Sequence, residues 1–262
     1  MSLTLDNIEG EQPIANIYKR NASISSVYVI PDEDLQEDEQ SLLKIRLNAD
    51  DECFFPAINN FFETNQTQRV YISGSTGTGK TTFLAQYIVN FHKKYPKAKI
   101  LFFSSKTKDD IIDKLKFIER VKIDEDFLLY PLTLEEMTAG GKKPILCCFD
   151  DIEDFSSRKI NKEVERLLNE ILRNGRSFGI YCIYTHHQPN DYKATRNLIF
   201  EASHCVIYPK RCAKNTYDYF LEKKLNINKK NRDLINNLKS NYVCIKKDIP
   251  QAVIADKYIL LL

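Results

Sequence analysis

A glycine-rich turn between a short apolar run and an amphipathic run is the feature that most constrains the fold of this chain. The run RVYIS (69–73) is rich in β-forming residues, and the turn GSTGTGKTT (74–82) follows it at once. After the turn, apolar residues recur on one helical face: Phe83, Leu84, Tyr87, Ile88 and Phe91. The sequence therefore predicts a buried strand, a tight turn and a helix, the basic unit of a layered α/β domain.

The turn also fits the pattern G-x-x-x-x-G-K-[ST] from Gly74 to Thr81, and we call residues 74–82 the phosphate loop. Glycines let backbone N–H groups approach phosphate oxygens at a helix N-terminus, Lys80 adds a cation beside the β- and γ-phosphates, and the Thr81 hydroxyl can bind Mg²⁺. The alternative, a flexible turn with a chance lysine, is disfavoured by the flanking strand and helix. The predicted nucleotide contacts are Gly74, Ser75, Thr76, Gly77, Thr78, Gly79, Lys80, Thr81 and Thr82.

Two further apolar runs deliver polar side chains where a strand ends. PILCCFDD ends in Asp150, the predicted Mg²⁺ partner acting through water, and Asp151, the predicted base that orients the attacking water. IYCIYTHHQPN places Gln188, our first choice, or His187 where it could contact the γ-phosphate or the water. The alternatives are a capping aspartate pair and a polar loop that begins at the Pro189 turn.

Apolar runs and helical patterns alternate along the chain, which predicts an α/β fold with a mostly parallel sheet and helices on both faces. Predicted strands include KILFFSS, FLLYPL and HCVIYP; predicted helices include DDIIDKLKFI, 160–172 and NRDLINNLK. The last two strands, NYVCIK and QAVIADKYILLL, are expected to form an antiparallel hairpin at the sheet edge. We divide the chain into an N-terminal arm, 1–45, and one nucleotide-binding domain, 46–262.

Composition sets broader limits. The chain is 43% hydrophobic, which favours a folded domain, and its net charge of +2 gives no argument for nucleic acid. Acidic runs lie in the first third, and basic residues dominate after Lys210. The seven cysteines follow no metal-binding spacing, which predicts reduced, packed thiols in a reducing compartment. No apolar run approaches the roughly 20 residues of a membrane helix, so we expect no membrane span.

Taken together, GSTGTGKTT, PILCCFDD and the run from NGRSFG to YPK (174–210) resemble the FtsK-HerA superfamily of DNA-pumping ATPases. The resemblance is greatest to the genome-packaging ATPases of large double-stranded DNA viruses, of the poxvirus and virophage types. In that family a glycine-arginine step precedes the strand that ends in a glutamine, and Gly175, Arg176 and Gln188 stand at those positions. The chain departs from the family in having Asp151 where a glutamate is usual, and in the histidine pair before Gln188.

The resemblance implies a P-loop NTPase fold of the RecA/FtsK type and a homo-oligomeric ring, most often a hexamer. Such a ring hydrolyses ATP with Mg²⁺ to move double-stranded DNA, without sequence preference, into a preformed capsid. Its partners would be DNA and capsid or portal-vertex proteins, and it would reside in the viral factory of the host cytoplasm or in the virion.

The resemblance further implies an arginine supplied across the subunit interface, for which Arg176 is the first candidate, then Arg173 and Arg196. Each could equally be a surface cation at a helix end. Lys106, Lys108 or Lys193 could line a DNA pore, although a solvated basic surface explains them as well. Two other functions stay open: a small-molecule kinase, and a nucleotide-binding capsid-assembly protein without translocation.

Overall fold

A computed structural model describes residues 1–31, 43–152, 155, 157–187, 192–211 and 213–262. The strands are β1 Ser2–Thr4, β2 Ala15–Lys19, β3 Ala22–Ile30, β4 Lys44–Arg46, β5 Glu52–Pro56, β6 Arg69–Ser73, β7 Ile100–Ser104, β8 Glu119–Arg120, β9 Ile145–Asp150, β10 Ile180–His186, β11 His204–Ile207, β12 Val243–Lys246, β13 Ala252–Ala255 and β14 Tyr258–Leu261. The helices are α1 Phe61–Thr64, α2 Lys80–Lys94, α3 Glu125–Leu129, α4 Leu134–Thr138, α5 Arg158–Phe178, α6 Tyr192–Glu201, α7 Lys214–Tyr219, which continues as a π-helical turn over Phe220–Lys224, and α8 Lys229–Asn236. Within the described residues, every helix is too short or too polar to cross a membrane.

The chain divides into two compact units, and the second, Asn60–Ala202, contains the parallel sheet. Its strand order is β6-β10-β9-β7-β8, and every pair in it is parallel. The strand that leads into the phosphate loop therefore lies beside β10, and β10 separates it from β9. Since parallel strands end at a common edge, the residues after β6, β7, β9 and β10 meet there.

Helices α2 and α5 bury apolar stripes in this unit. β9 and β10 are buried along their whole length, as expected for parallel strands covered on both faces. The buried side chains of α5 repeat at helical spacing: Val164, Leu167, Leu168, Ile171 and Leu172. The predicted α/β fold with a mostly parallel sheet is confirmed.

The first unit combines Met1–Asn59 with Ser203–Leu262. It contains a four-stranded antiparallel sheet in the order β1-β3-β2-β5, and an antiparallel series in the order β11-β12-β13-β14-β4. The Phe54 N–H donates to the carbonyl of Asp256 at 2.9 Å, and the Tyr242 hydroxyl donates to the Phe54 carbonyl, so the two parts of the chain are hydrogen-bonded. The two units therefore do not divide at residue 45, and three strands, β1, β2 and β3, lie between residues 2 and 30.

Two predicted elements differ from the structure in type, and a third prediction, at the C-terminus, differs in position. FLLYPL, predicted as a strand, begins within α3, because Asp124 caps that helix by accepting from Asp126 and Phe127 N–H groups. DDIIDKLKFI, predicted as a helix, forms only a 3₁₀ turn at Ile112–Lys114, because the Asp109 carboxylate accepts the N–H groups of Ile111 and Ile112.

The C-terminal prediction is correct in pairing and wrong in position. β12 and β13 pair in antiparallel fashion, as expected, but QAVIADKYILLL contains two strands, β13 and β14. β4 then pairs with β14, so the hairpin does not form the edge of its sheet. The pairing partner comes from a distant part of the sequence, which local pattern does not reveal.

Candidate active site

The phosphate loop connects β6 to α2 with two residues in the left-handed region of backbone space. Gly77 has φ +77° and Gly79 has φ +107°, conformations that glycine adopts without a steric cost. Gly79 is the N-cap of α2, and its carbonyl accepts the first helical hydrogen bond, from the Phe83 N–H at 3.0 Å. The Thr78 hydroxyl donates to the Ser75 carbonyl at 2.8 Å, which closes the turn. The loop therefore presents backbone N–H groups at a helix N-terminus, where anions bind.

Lys80 lies across this loop. The residue is only 7% exposed, and Nζ donates to the Gly74 carbonyl at 2.7 Å and to the Ser75 carbonyl at 3.4 Å. Ser75, Thr76 and Gly77, in contrast, are exposed. A phosphate chain that entered the loop from solvent would thus meet the ammonium group of Lys80, which the loop carbonyls hold in position.

Asp150 ends β9 and is held by the neighbouring strand. The Thr185 hydroxyl donates to Asp150 Oδ1 at 2.6 Å, and the aspartate is 2% exposed. Burial raises the pKa of Asp150 above its ordinary value, while the hydrogen bond from Thr185 opposes that rise. Ionisation of Asp150 in the folded protein therefore costs free energy, and a bound cation would offset that cost.

Asp151 has a different environment one residue later. Lys106 Nζ pairs with Asp151 Oδ2, His187 Nε2 lies 3.0 Å from Oδ1, and the Ser105 hydroxyl donates to the Asp151 carbonyl at 2.7 Å. Burial alone would raise the pKa of Asp151, but the hydrogen bond and charge of Lys106, together with the charge of Lys80, outweigh it, so the pKa lies below its ordinary value. Asp151 also has φ +51°, in the left-handed region. Asp151 is therefore a carboxylate with a donor on each oxygen.

His187 connects the phosphate loop to this carboxylate. Lys80 Nζ lies 3.4 Å from His187 Nδ1 while Nε2 faces Asp151. Since an ammonium group only donates, Nδ1 accepts and Nε2 carries the proton, which corresponds to a neutral imidazole. The sequence ranked Gln188 first at this strand end; Gln188 lies outside the described residues, and His187 lies within the site.

Two members of the site were not given these roles from sequence. Thr185 was noted only as part of a strand end, although its hydroxyl donates to Asp150 and accepts the Asp151 N–H at 3.4 Å. Lys106 was assigned to DNA, but its ammonium group pairs with Asp151. Lys108 is exposed, as that assignment expects, and the side chain of Lys193 lies outside what the structure describes. The signal that could have identified Thr185 and Lys106 is their position, because both residues stand at or just after the end of a parallel strand.

Arg176 lies at the opposite edge of the sheet. It is exposed in the last turn of α5, four residues before β10 begins, whereas the phosphate loop follows the far end of β6. The seven residues of β10 span about 20 Å, so Arg176 lies about that far from its own phosphate loop. Gly175 beside it is buried, and a Cβ there would lie 3.3 Å from Ile180 Cβ. Arg173 and Arg196 are likewise exposed.

The donors available for a metal are oxygens, as Mg²⁺ prefers. Among the described residues there is no group of three or more His, Cys, Asp or Glu side chains placed to hold a metal alone. Thr81, at the start of α2, and Asp150, at the end of β9, fit an ion that uses one or two protein oxygens and completes its shell with phosphates and water. The residues present therefore suit a metal that arrives with a nucleotide.

Two sequence comparisons find relatives of this chain. A family model described as the res subunit of type III restriction enzymes matches residues 32–166, a range that includes the phosphate loop and both aspartates. The protein V3 of the Sputnik virophage is 35% identical over 184 residues, which cover 69% of this chain and 71% of the relative.

Two solved structures share the fold. The DNA-packaging ATPase B204 of Sulfolobus turreted icosahedral virus is 16% identical, with a TM-score of 0.50 over 74% of this chain and 98% of B204. The pCW3 conjugation coupling protein TcpA, with bound ATPγS, is 12% identical, with a TM-score of 0.53 over 95% of this chain and 77% of TcpA. The chain therefore belongs to the P-loop family that the res-subunit model describes, and it is a homologue of the Sputnik virophage protein V3.

Proposed function

We propose that this protein is an Mg²⁺-dependent ATPase that translocates double-stranded DNA into a preformed viral capsid. The observation that carries the proposal is the hydrogen-bonded connection from Lys80 through His187 to Asp151, which joins the phosphate-binding cation to the base. Relatives support the cargo, since V3 belongs to a virophage and B204 is a DNA-packaging ATPase.

Each residue of the site has a distinct task in hydrolysis. The loop N–H groups and Lys80 hold the β- and γ-phosphates, and Asp151 orients the attacking water and accepts its proton. Thr185 fixes the rotation of the Asp150 carboxylate, which with Thr81 would hold the metal. When bound, Mg²⁺ neutralises charge that develops on the transferring phosphoryl group.

The position of Arg176 supports an oligomer. Because Arg176 lies about 20 Å from its own phosphate loop, it can reach a nucleotide only in a neighbouring subunit. We therefore propose a homo-oligomeric ring, hexameric by analogy with the superfamily, in which Arg176 stabilises the transition-state charge of the next site. Capsid or portal-vertex proteins would anchor this ring, in the viral factory of the host cytoplasm or on the virion.

Phosphate release from Mg-ATP, with and without duplex DNA, tests the proposal. We expect release that duplex DNA accelerates, that chelation of Mg²⁺ stops, and that Lys80→Ala abolishes. Lys97→Ala is the matched control, because Lys97 is an exposed lysine at the opposite edge of the sheet. Release that needs a small acceptor and ignores DNA would instead indicate a kinase, and binding of ATP without turnover would indicate an assembly protein.

Mixed subunits test the arginine. Arg176→Ala and Asp151→Ala subunits should each be inactive alone, and mixed oligomers should regain part of the activity if the arginine acts across an interface. Sizing of the mixture must first establish that both variants are present in one oligomer. No recovery in such oligomers would remove Arg176 from this role and leave Arg173 and Arg196 as candidates.

A further inference from the structure

A cavity of about 340 Å³ opens at the edge of the parallel sheet where β7 and β9 begin, opposite the phosphate loop. Apolar residues form much of its lining: Phe62, Tyr95, Pro96 and Pro144. Ligand pockets in proteins typically measure about 300–1,000 Å³ and are mostly apolar, so this cavity lies at the lower end of that range. The cavity can therefore accept a bulky apolar group of a binding partner.

Phe62 is an exposed aromatic residue in the wall of this cavity. It is 70% exposed, although its ring centroid lies 5.8 Å from that of Phe61 and 6.3 Å from that of Tyr95. Neighbouring rings thus position Phe62 without covering it, and exposed apolar surface that polar residues border is typical of binding sites. Because Pro96 and Pro144 have no N–H group to donate, the wall favours recognition of a side chain over pairing with a backbone.

Exposed lysines from two separate segments border the cavity. Lys94 ends α2 and Lys143 lies two residues before β9, and both line the cavity. Lys142, beside them, places Nζ 5.5 Å from the centroid of the Phe61 ring. Loss of hydration lowers the pKa of Lys94, and the charge of Glu63 opposes that fall. A carboxylate that entered the cavity would therefore stabilise the ammonium group of Lys94.

The cavity and the phosphate loop lie at opposite ends of α2. This helix begins at Lys80, in the phosphate loop, and ends at Lys94, at the cavity. Its 15 residues span about 22 Å at 1.5 Å per residue. A ligand in the cavity would thus leave the nucleotide site open, and both sites could be occupied at once.

We propose that this cavity is the docking site for a partner protein that presents an acidic peptide segment with one bulky apolar side chain. The apolar side chain would fill the cavity beside Phe62, and the carboxylates would pair with Lys94 and Lys143. Duplex DNA would supply phosphates but no apolar group, and a lipid surface takes up apolar side chains that protrude rather than filling a cavity. The inference goes beyond the proposed function and does not rest on it.

Fluorescence anisotropy of a short labelled peptide, made of glutamates around one central phenylalanine, tests the inference on the full chain. A saturating ATP analogue keeps the peptide out of the phosphate loop. Phe62→Ser and Lys94→Glu should each weaken peptide binding by about tenfold, the effect of losing one apolar contact or one charge-assisted hydrogen bond. Alanine in place of the peptide's phenylalanine should weaken binding by a similar factor. Lys114→Glu, at an exposed lysine on the 3₁₀ turn Ile112–Lys114, is the matched control and should bind as the wild type does.

Acetylation of the wild-type protein, read by mass spectrometry, is a second measurement that needs no variant. The peptide should reduce acetylation at Lys94 and Lys143 and leave Lys114 unchanged. This measurement decides the question if a variant fails to bind the ATP analogue and is therefore misfolded.

The inference fails if the two peptides bind equally, if folded Phe62→Ser and Lys94→Glu proteins bind as the wild type does, or if the peptide leaves Lys94 unprotected. Stronger protection of Lys94 by duplex DNA or by vesicles of anionic lipid would assign the surface to that partner and overturn the inference. A protein that binds the peptide but hydrolyses no ATP would overturn only the proposed function, and DNA-stimulated hydrolysis without peptide binding would overturn only the inference.

Discussion

The two edges of the parallel sheet in unit Asn60–Ala202 carry different kinds of side chain. At the carboxyl edge, Lys80, His187, Asp151 and Lys106 form a chain of charged and polar contacts. At the amino edge, aromatic rings pack closely. The ring centroid of Tyr181 lies 5.1 Å from that of Phe91 and 5.9 Å from that of Tyr95. The comparison teaches that charged and polar side chains gather at the carboxyl edge, where we propose the chemistry, whereas aromatic packing dominates the amino edge.

Asp151→Ala, at the carboxyl edge, should have the largest effect of the single changes that distinguish the two edges. Loss of the carboxylate that we propose as the base should lower kcat by about 10² to 10⁴, the range typical of general base catalysis, with affinity for an ATP analogue retained. The melting temperature at pH 7 should also fall, because the buried Asp151 carboxylate pairs with Lys106 and His187 and its lowered pKa means that the ionised form stabilises the folded state. A variant that keeps more than a tenth of wild-type kcat would show that another group accepts the proton.

Gly179→Ala should produce the reverse pattern at the amino edge. Gly179 has φ +78°, and a Cβ there would lie 2.7 Å from the Lys143 carbonyl oxygen and 3.2 Å from Phe61. Strain and overpacking together should cost about 2–4 kcal/mol, read from the midpoint of thermal or urea unfolding. Gly140→Ala is the control, since Gly140 has φ +69° with nothing within 4 Å of the added Cβ. It should cost only about 1 kcal/mol.

Tyr95→Phe should weaken the amino edge by a smaller amount. The Tyr95 hydroxyl accepts the Phe61 N–H at 2.8 Å in a buried position and lies 3.3 Å from the Tyr181 hydroxyl. Removal of this acceptor should cost about 1–2 kcal/mol by thermal unfolding and leave ATP hydrolysis unchanged at temperatures below the transition. Tyr130→Phe, at a position 79% exposed, should be neutral in the same measurement. Equal effects of the two variants would contradict the assigned role of the buried hydroxyl.

Asp150→Asn should give the smallest effect on stability, and in the stabilising direction. Because burial raises the pKa of Asp150, its ionised form destabilises the folded state at a pH above the folded-state pKa. Asn should therefore raise the melting temperature of the protein without ligands by about 2–4 °C at pH 7. This gain should shrink as the pH falls towards the unfolded-state pKa, where Asp150 is protonated in both states. Hydrolysis should be lost, and a lower melting temperature at pH 7 would contradict the sign of this argument.

Sequence predicted the parts of the site that depend on local order. The strand, glycines and helix around Lys80 lie next to one another in the chain, and Asp150 and Asp151 follow directly on an apolar strand. Their meeting follows from the rule that parallel strands end at one edge. The same reasoning predicted the α/β class and most of its elements.

What sequence did not predict depends on which strands are neighbours. Lys106 reaches Asp151 because β7 pairs with β9, and Thr185 reaches Asp150 because β10 pairs with β9. Such pairings are contacts between distant residues that no local pattern encodes. The error at α3 has a local cause, since the cap at Asp124 outweighed the β-forming preference of the residues that follow.

The left-handed backbone at Asp151 limits which acid the enzyme can use there. Asp is enriched several-fold among non-glycine residues with such a φ, and Glu, with its longer stem, lacks that preference. A glutamate at this position, as is usual in the superfamily that the sequence resembles, would therefore lengthen the reach of the carboxylate while straining the main chain that positions it. A shorter acid that two neighbouring side chains hold in place is the arrangement that this bend permits.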